Sequence, residues 1–149
     1  MKIRNAISLY IHIPFCVQKC KYCDFLSFSS LEEDRNSYIQ ELKKELQWKS
    51  QWASGASVIS VFFGGGTPSI LRVEQMEELL SLIKEYYTLT EDVEITMEAN
   101  PGTLTVETLL QYQRIGINRL SIGLQSGENQ ELAMLGRIHT WEQFERNYQ

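Results

Sequence analysis

Apolar runs rich in β-branched residues alternate with amphipathic helical stretches along this chain. Residues 58–63 form a mostly apolar run whose length and β-branching predict a strand buried on both faces. Residues 73–87 follow, with apolar side chains at helical spacing on one face and charged side chains on the other. Because this order recurs, we expect right-handed crossovers and a parallel sheet covered by helices. The sequence therefore predicts the α/β class, with about four βα units.

Turn and capping residues mark the other elements. Further strands are predicted over residues 8–14, 93–97 and 118–123, and further helices after a capping box at residues 30–33, from Thr105 to Gly116, after Gln125 and after Thr140. A closed eightfold α/β barrel takes roughly 250 residues, whereas this chain has 149. A barrel would therefore be partial, and the pattern alone does not distinguish it from an open sheet.

The ends of the predicted strands indicate where a ligand would bind. In parallel α/β folds the site lies at the carboxyl ends of the strands. Here those ends carry a cysteine loop, residues 64–67, residues 98–101 and residues 125–126. We therefore expect the chemically active side chains on one edge of the sheet.

Cys16, Cys20 and Cys23 are the only cysteines and lie on one short loop, spaced as Cys-x3-Cys-x2-Cys. An odd number of closely spaced cysteines suits a metal site in a reducing compartment better than a disulfide framework. Three thiolates can hold three corners of a cubic iron–sulfur cluster and leave the fourth iron without a protein ligand. The alternative is a structural zinc site with His12 as fourth ligand, although no second group of Cys or His follows downstream.

Charge and hydropathy exclude several classes of function. The net charge is −5 and no block of Lys and Arg extends beyond residues 43–44, so nucleic-acid binding is not expected. No apolar stretch approaches the ~20 residues needed to span a bilayer, and residues 1–4 lead into a strand pattern rather than a signal peptide's apolar region. We expect a cytoplasmic protein without a transmembrane segment.

Several strand-end residues have both a functional and an ordinary interpretation. Residues 64–66 are a glycine triplet that suits either a tight turn or close approach of a ligand, and they lack the spacing of a nucleotide-binding loop. At the rim, Glu98 could accept hydrogen bonds from a ribose or an ammonium group. Gln125 offers an amide and Arg137 a guanidinium, yet such residues are more often surface side chains. Tyr10, in an alternating strand, is typical of a core position.

Four motifs stand in order along the chain. They are Tyr10-x-His12-x-Pro14-Phe-Cys16-x3-Cys20-x2-Cys23, Gly64-Gly-Gly-Thr-Pro68, Glu98-Ala-Asn-Pro-Gly102 and Ser121-Ile-Gly-Leu-Gln125. Together they resemble the radical S-adenosylmethionine superfamily and, within it, the oxygen-independent coproporphyrinogen III oxidase family. The oxidases of that family carry a fourth cysteine two positions after the third, where this chain has Phe25. This difference favours the family's heme-chaperone branch.

The resemblance implies particular cofactors. It implies a [4Fe-4S] cluster on Cys16, Cys20 and Cys23, with the amine and carboxylate of S-adenosyl-L-methionine on the open iron. One electron through such a cluster cleaves the sulfonium to methionine and a 5'-deoxyadenosyl radical. The positions that match S-adenosylmethionine contacts in the family are Tyr10, Tyr22, Gly65, Gly66, Thr67, Glu98, Gln125 and Arg137. No residue is singled out as catalytic.

The resemblance also implies a fold and a function. The fold is the N-terminal part of a partial (β/α)6-type, TIM-like barrel with parallel strands and outer helices. Residues 1–149 would be the N-terminal portion of the radical S-adenosylmethionine core domain, with later strands and a C-terminal domain beyond them. The function is that of a heme chaperone, which in full-length form binds heme and transfers it to an acceptor protein, with an electron donor as a further partner. The alternatives are an enzyme, the oxygen-independent coproporphyrinogen III oxidase (dehydrogenase) that uses the deoxyadenosyl radical, and a structural zinc-binding domain.

Overall fold

The computed structural model describes residues 6–148 and contains one main parallel sheet. The strands are β1 (Ala6–Ile13), β2 (Phe15–Cys16), β3 (Phe28–Ser29), β4 (Ser57–Gly65), β5 (Leu89–Ala99) and β6 (Arg119–Ile122). The α-helices are α1 (Glu32–Lys49), α2 (Val73–Tyr86), α3 (Val106–Ile115), α4 (Asn129–Met134) and α5 (Trp141–Tyr148). The main sheet has the order β1-β4-β5-β6 and every pair in it is parallel. The predicted parallel α/β sheet is confirmed.

Neighbouring strands are aligned so that their carboxyl ends meet at one edge of the sheet. His12 of β1 pairs with Gly64 of β4, and Glu98 of β5 pairs with Ser121 of β6. Because all four strands run in the same direction, the segments that follow them leave the sheet at this edge. The sheet therefore brings the predicted rim segments to one side of the molecule.

One face of the sheet is apolar and packs under the helices. Ile13, Val61, Phe63 and Met97 lie on this face and are completely buried. The helices cover it with Ile39, Leu42 and Leu46 of α1 and with Met76, Leu79, Leu80 and Ile83 of α2. Burial of one such side chain stabilises a fold by about 1.5–3 kcal/mol. This layer is consequently the main source of stability.

The opposite face of the sheet carries polar side chains. Ser60 Oγ donates to Ser8 Oγ at 2.8 Å across β1 and β4. Thr96 Oγ1 donates to Glu94 Oε1 at 2.9 Å, and Arg119 forms an ion pair with the same carboxylate at 3.5 Å. The two faces of the sheet thus differ sharply in polarity.

The prediction that residues 58–63 are buried on both faces is wrong at Ile59, which is 48% exposed. The pairing of β1 with β4 shifts by one residue between Val58 and Ser60, so Ile59 has no partner there. An extra residue of this kind forms a β-bulge and leaves the alternation of its strand. The bulge, rather than the apolar character of the run, decides the exposure of Ile59.

The start of α1 differs from the predicted capping box by one residue. Leu31 is the N-cap, and Asp34 Oδ2 accepts its backbone N–H at 3.0 Å. Ser30 is instead bound by Arg35, whose Nη1 donates to the Ser30 carbonyl at 3.0 Å and to its hydroxyl at 3.3 Å. The predicted pairing of Ser30 with Glu33 is therefore wrong, because Asp34 and Arg35 hold the chain ahead of the helix.

The predicted boundaries of α3 and the start of α5 are confirmed. Thr105 Oγ1 accepts the N–H of Thr108 at 3.1 Å, and Thr108 Oγ1 accepts the N–H of Thr105 at 2.9 Å. Thr140 and Gln143 form the same reciprocal pair ahead of α5. Gly116 ends α3 in the left-handed conformation with φ 113°, which glycine adopts without a steric penalty.

We expect Thr105→Ala to lower the free energy of unfolding by about 1 kcal/mol, because an N-cap side chain satisfies an otherwise unpaired backbone N–H. Urea unfolding followed by circular dichroism measures the effect. Thr88→Ala is the matched control, since Thr88 is exposed and caps no helix. Equal unfolding midpoints for the two variants would show that the cap contributes nothing.

Candidate functional site

The three cysteines lie on a loop held between two short strands. β2 ends at Cys16 and pairs in parallel with β3, and the N–H of Phe28 donates to the carbonyl of Pro14 at 2.9 Å. Between the strands, Lys19 Nζ donates to the carbonyls of Phe25 and Ser27 at 3.1 and 3.3 Å. The loop is thus held by the Lys19 side chain and by backbone hydrogen bonds at its ends, although it forms no helix.

The loop is also tied to a distant segment of the chain after α4. The N–H of Lys21 donates to the Leu135 carbonyl at 3.1 Å. Gln18 Nε2 donates to the Gly136 carbonyl at 3.2 Å, across 118 positions of sequence. The next residue is Arg137, which these contacts bring against the cysteines.

The loop and the carboxyl ends of the strands surround an open cavity of about 270 Å³. Its walls include Cys16, Cys20 and Cys23 together with Tyr22, Gly65, Gly66, Thr67, Glu98, Gln125 and Arg137. All of the residues predicted to hold cofactors are therefore brought together, except Tyr10. Whether each one contacts a cofactor stays a prediction.

Tyr10 stands apart from this cavity, on the polar face of β1. Its ring stacks on Phe62 at 6.0 Å, and its hydroxyl lies 3.3 Å from His12 Nδ1. Partial burial raises the pKa of Tyr10, and the negative charge of Glu98 raises it further. Tyr10 is 59% exposed, so the core position expected from the sequence pattern is wrong.

The glycine triplet contacts the end of β5 on one side and the segment that leads into Cys16 on the other. The N–H of Gly65 donates to Glu98 Oε2 at 3.0 Å, which holds that carboxylate at the cavity wall. The N–H of Gly66 donates to the Ile13 carbonyl at 2.8 Å. A Cβ on Gly66 would lie 2.5 Å from the Phe15 carbonyl oxygen. Only glycine permits this approach of the two backbones.

Polar side chains connect two of the three cysteines. Thr67 Oγ1 donates to Cys16 Sγ at 3.5 Å, and Arg137 Nη1 donates to Cys20 Sγ at 3.4 Å. Asn100 lies between them, with Nδ2 donating to Thr67 Oγ1 at 3.0 Å and Oδ1 accepting from Arg137 Nη2 at 2.5 Å. We call these three residues the Thr67–Asn100–Arg137 network.

Asn100 is missing from the predicted cofactor residues, although it lies in the rim segment 98–101. Its signal is its position directly after β5, in the motif Glu98-Ala-Asn-Pro. Asparagine before proline is also typical of a turn, which hides a side-chain role. Gly123 is missing from the prediction too. Its contribution is a backbone carbonyl, which accepts from Arg137 Nη2 at 2.7 Å, and a backbone acceptor cannot be recognised from the residue type.

Tyr22 lies beside Arg137 at the mouth of the cavity, with its hydroxyl 3.5 Å from Nη1. Burial raises the pKa of Tyr22, an effect that Arg137 opposes and Cys20 reinforces. The phenol therefore stays protonated at neutral pH. It can act as a hydrogen-bond donor toward a ligand in the cavity.

The donor set favours an iron–sulfur cluster over the zinc alternative. All three cysteines are free thiols around one cavity, and a cubic cluster with one open iron needs three such ligands, each on a different iron. Both ring nitrogens of His12 have partners, since Nε2 lies 3.1 Å from the Leu26 carbonyl oxygen and Nδ1 meets Tyr10. Within residues 6–148, no three His, Cys, Asp or Glu side chains are grouped to hold a single metal ion.

None of the helices between residues 6 and 148 is long and apolar enough to cross a membrane.

Comparisons with known proteins place these observations in a family. The family model described as "Radical SAM superfamily" matches residues 10–149. "Heme chaperone HemW" of Escherichia coli (strain K12) is 48% identical over 134 residues, which are 89% of this chain and 35% of that protein. "Heme chaperone HemW" of Synechocystis sp. is 40% identical over 136 residues, 87% of this chain and 32% of that protein. The chain thus spans about a third of the length of these relatives.

A solved structure matches both the fold and the sequence. The coproporphyrinogen III oxidase HemN from Escherichia coli, described as a radical SAM enzyme, has a TM-score of 0.86 and 29% identity, covering 94% of this chain and 32% of its own. The expected fold, with parallel strands and outer helices of the radical SAM kind, is confirmed, as is the resemblance to the heme-chaperone branch. With a family model that matches nearly its full length, the chain belongs to the radical S-adenosylmethionine superfamily.

Proposed function

We propose that this chain is the N-terminal portion of the core domain of a HemW-like heme chaperone. Such a protein binds a [4Fe-4S] cluster, S-adenosylmethionine and heme, and transfers the heme to an acceptor protein. The observation that carries the proposal is Phe25, which lines the cysteine cavity at the position of the oxidases' fourth cysteine. The curated relatives named as heme chaperones support the same choice.

In this proposal Cys16, Cys20 and Cys23 would hold the cluster, which would supply single electrons to bound S-adenosylmethionine. Glu98 is suited to receive the methionyl ammonium group, because its carboxylate is already fixed at the cavity wall by the N–H of Gly65. Arg137 lies close enough to Cys20 to neutralise part of the charge of a thiolate ligand. The contact is partly buried, which makes a charge interaction stronger than it would be in bulk water.

Other residues would contact the remainder of S-adenosylmethionine. They are Tyr10, Tyr22, Gly65, Gly66, Thr67 and Gln125. Gly66 lines the cavity with backbone atoms, and a side chain there would collide with the backbone of Phe15. Gln125 adopts a positive φ of 76°, which is uncommon for a residue other than glycine and concentrates at functional positions.

The proposal includes partners and a location. A heme acceptor would take the cargo, and an electron donor would reduce the cluster. Three free thiols in one loop suit a reducing compartment, so we place the protein in the cytoplasm.

The test is a heme titration of the full-length protein after anaerobic reconstitution of its cluster. We expect a heme Soret band that saturates at a fixed ratio of heme to protein, and loss of that heme to an added apo-hemoprotein. Iron, sulfide and zinc are measured on the same sample. A protein that carries iron and sulfide but neither binds nor releases heme would overturn the chaperone function. Stoichiometric zinc without sulfide would support the zinc alternative instead.

The second candidate is the enzyme, because the fold matches the HemN oxidase with a TM-score of 0.86. In that function the full-length protein would oxidatively decarboxylate the propionates of coproporphyrinogen III, beginning with hydrogen-atom abstraction by the deoxyadenosyl radical and passing the remaining electron to an acceptor. An anaerobic assay with this substrate, S-adenosylmethionine, a reductant and an electron acceptor decides between the two. Porphyrinogen product at catalytic turnover would establish the enzyme, whereas its absence alongside heme transfer would establish the chaperone.

A further inference from the structure

We propose that Asn100 is a positioning residue that directs hydrogen bonds onto the Cys16 and Cys20 sulfurs and so raises the reduction potential of the cluster. This inference rests on the proposed cluster site. Asn100 itself touches neither sulfur. It acts through the other two members of the Thr67–Asn100–Arg137 network.

The Thr67 hydroxyl shows how Asn100 sets a direction. A hydroxyl has one proton to donate and two lone pairs to accept with. Because Asn100 Nδ2 donates to Thr67 Oγ1 at 3.0 Å, that oxygen is used as an acceptor. The single proton of Thr67 is then free for Cys16 Sγ, at 3.5 Å.

The other end of the Asn100 amide acts on Arg137. Its Oδ1 accepts from Nη2, which also donates to the Gly123 carbonyl at 2.7 Å. With Nη2 held by two acceptors, Nη1 of the same guanidinium faces Cys20 Sγ at 3.4 Å. One amide thereby orients a donor toward each of two sulfurs.

The backbone of Asn100 is fixed as firmly as its side chain. Its N–H donates to Ser69 Oγ at 3.3 Å, and its carbonyl accepts from the hydroxyl of Thr103 at 2.7 Å. Asn100 is also partly buried, at the wall of the cavity. A side chain so anchored keeps its geometry through changes in the charge of the cluster.

Only an amide fits both neighbours at this position. Aspartate has two acceptors and no donor when ionised, so it would turn the Thr67 proton away from Cys16. Leucine has a similar volume and neither function. Hydrogen bonds to cluster sulfurs and local charge both set the potential of such a cluster, so each change is expected to make reduction harder.

The experiment is a redox titration of the full-length protein with reconstituted cluster, followed by electron paramagnetic resonance. For Asn100→Asp we expect the ratio of reduced to oxidised cluster at the wild-type midpoint to fall about tenfold, a shift of 59 mV for one electron. Asn100→Leu should shift the midpoint in the same direction by less, because it adds no charge. Iron and sulfide contents are measured to show that each cluster is complete.

Two further variants separate the proposed route from general effects. Thr67→Val removes the hydroxyl at Cys16 without adding charge, and we expect it too to lower the midpoint. Combined with Asn100→Leu it should lower the midpoint by less than the sum of the two single shifts, because without the Thr67 hydroxyl the change at Asn100 can act only through Arg137. Asn36→Leu is the matched control, since Asn36 is equally part-buried but binds Gln75 between α1 and α2.

The outcomes distinguish this inference from the proposed function. Complete clusters in all variants with midpoints equal to that of Asn36→Leu would overturn the role of Asn100 and leave the cluster site standing. A wild-type protein that assembles no cluster would overturn both. Additive shifts in the double variant would overturn the path through Thr67.

Discussion

We expect Cys20→Ala to abolish assembly of the iron–sulfur cluster in the full-length protein and to leave its helical content unchanged. A cubic cluster with one open iron depends on all three thiolates, and the alanine variant retains two. Cys20 lies in the loop between β2 and β3, outside every helix and every strand. Its loss should therefore affect the cluster far more than the fold. Iron and sulfide per chain, together with far-ultraviolet circular dichroism, measure the two effects.

The control for this prediction comes from the same loop. Asp24→Ala changes an exposed side chain next to Cys23 and should keep iron and sulfide at the wild-type ratio. If Cys20→Ala also kept that ratio, the assignment of the cluster ligands would be wrong. If both variants lost the cluster, the loop would be sensitive to any substitution and the specific role of the thiol would not stand.

The centres of the strands can be predicted from sequence because burial imposes a local pattern. The ends are harder, as β5 shows. Residues 93–97 alternate clearly, yet the strand spans Leu89–Ala99, because Glu91 and Asp92 break the pattern while their backbone still continues the strand. The pair β2 and β3 was beyond prediction, since each strand has two residues. Long-range packing such as Phe15 against Phe28, at 5.7 Å, helps to place them together.

The same difference between local and distant signals applies to the site. Three cysteines within eight residues are visible at once, and the parallel topology places other strand ends beside them. Arg137 reaches Cys20 across 117 positions and Asn100 across 37. Nothing local in the sequence specifies those contacts, so Arg137 was predicted only through the family resemblance. The role of Asn100 could be recognised only from its hydrogen bonds in the structure.

We expect Gly66→Ala to destabilise the protein and to prevent full loading of the cluster. The new Cβ would lie 2.5 Å from the Phe15 carbonyl oxygen and 2.8 Å from its nitrogen. Both are backbone atoms, so no side chain can rotate to relieve the contact. Overpacking of this kind costs about 1–3 kcal/mol, occasionally more. Thermal unfolding and iron content per chain measure the two consequences.

The effect on the cluster follows because Phe15 is hydrogen-bonded to Thr67 and directly precedes Cys16. Its carbonyl accepts the N–H of Thr67 at 2.7 Å, and the next residue is Cys16. Moving Phe15 away from Gly66 therefore breaks that hydrogen bond and displaces a cluster ligand. Gly102→Ala is the matched control, because its Cβ would meet nothing closer than His139 Cβ at 3.7 Å. If the two variants melted and loaded iron alike, the close approach at Gly66 would not be what positions Cys16.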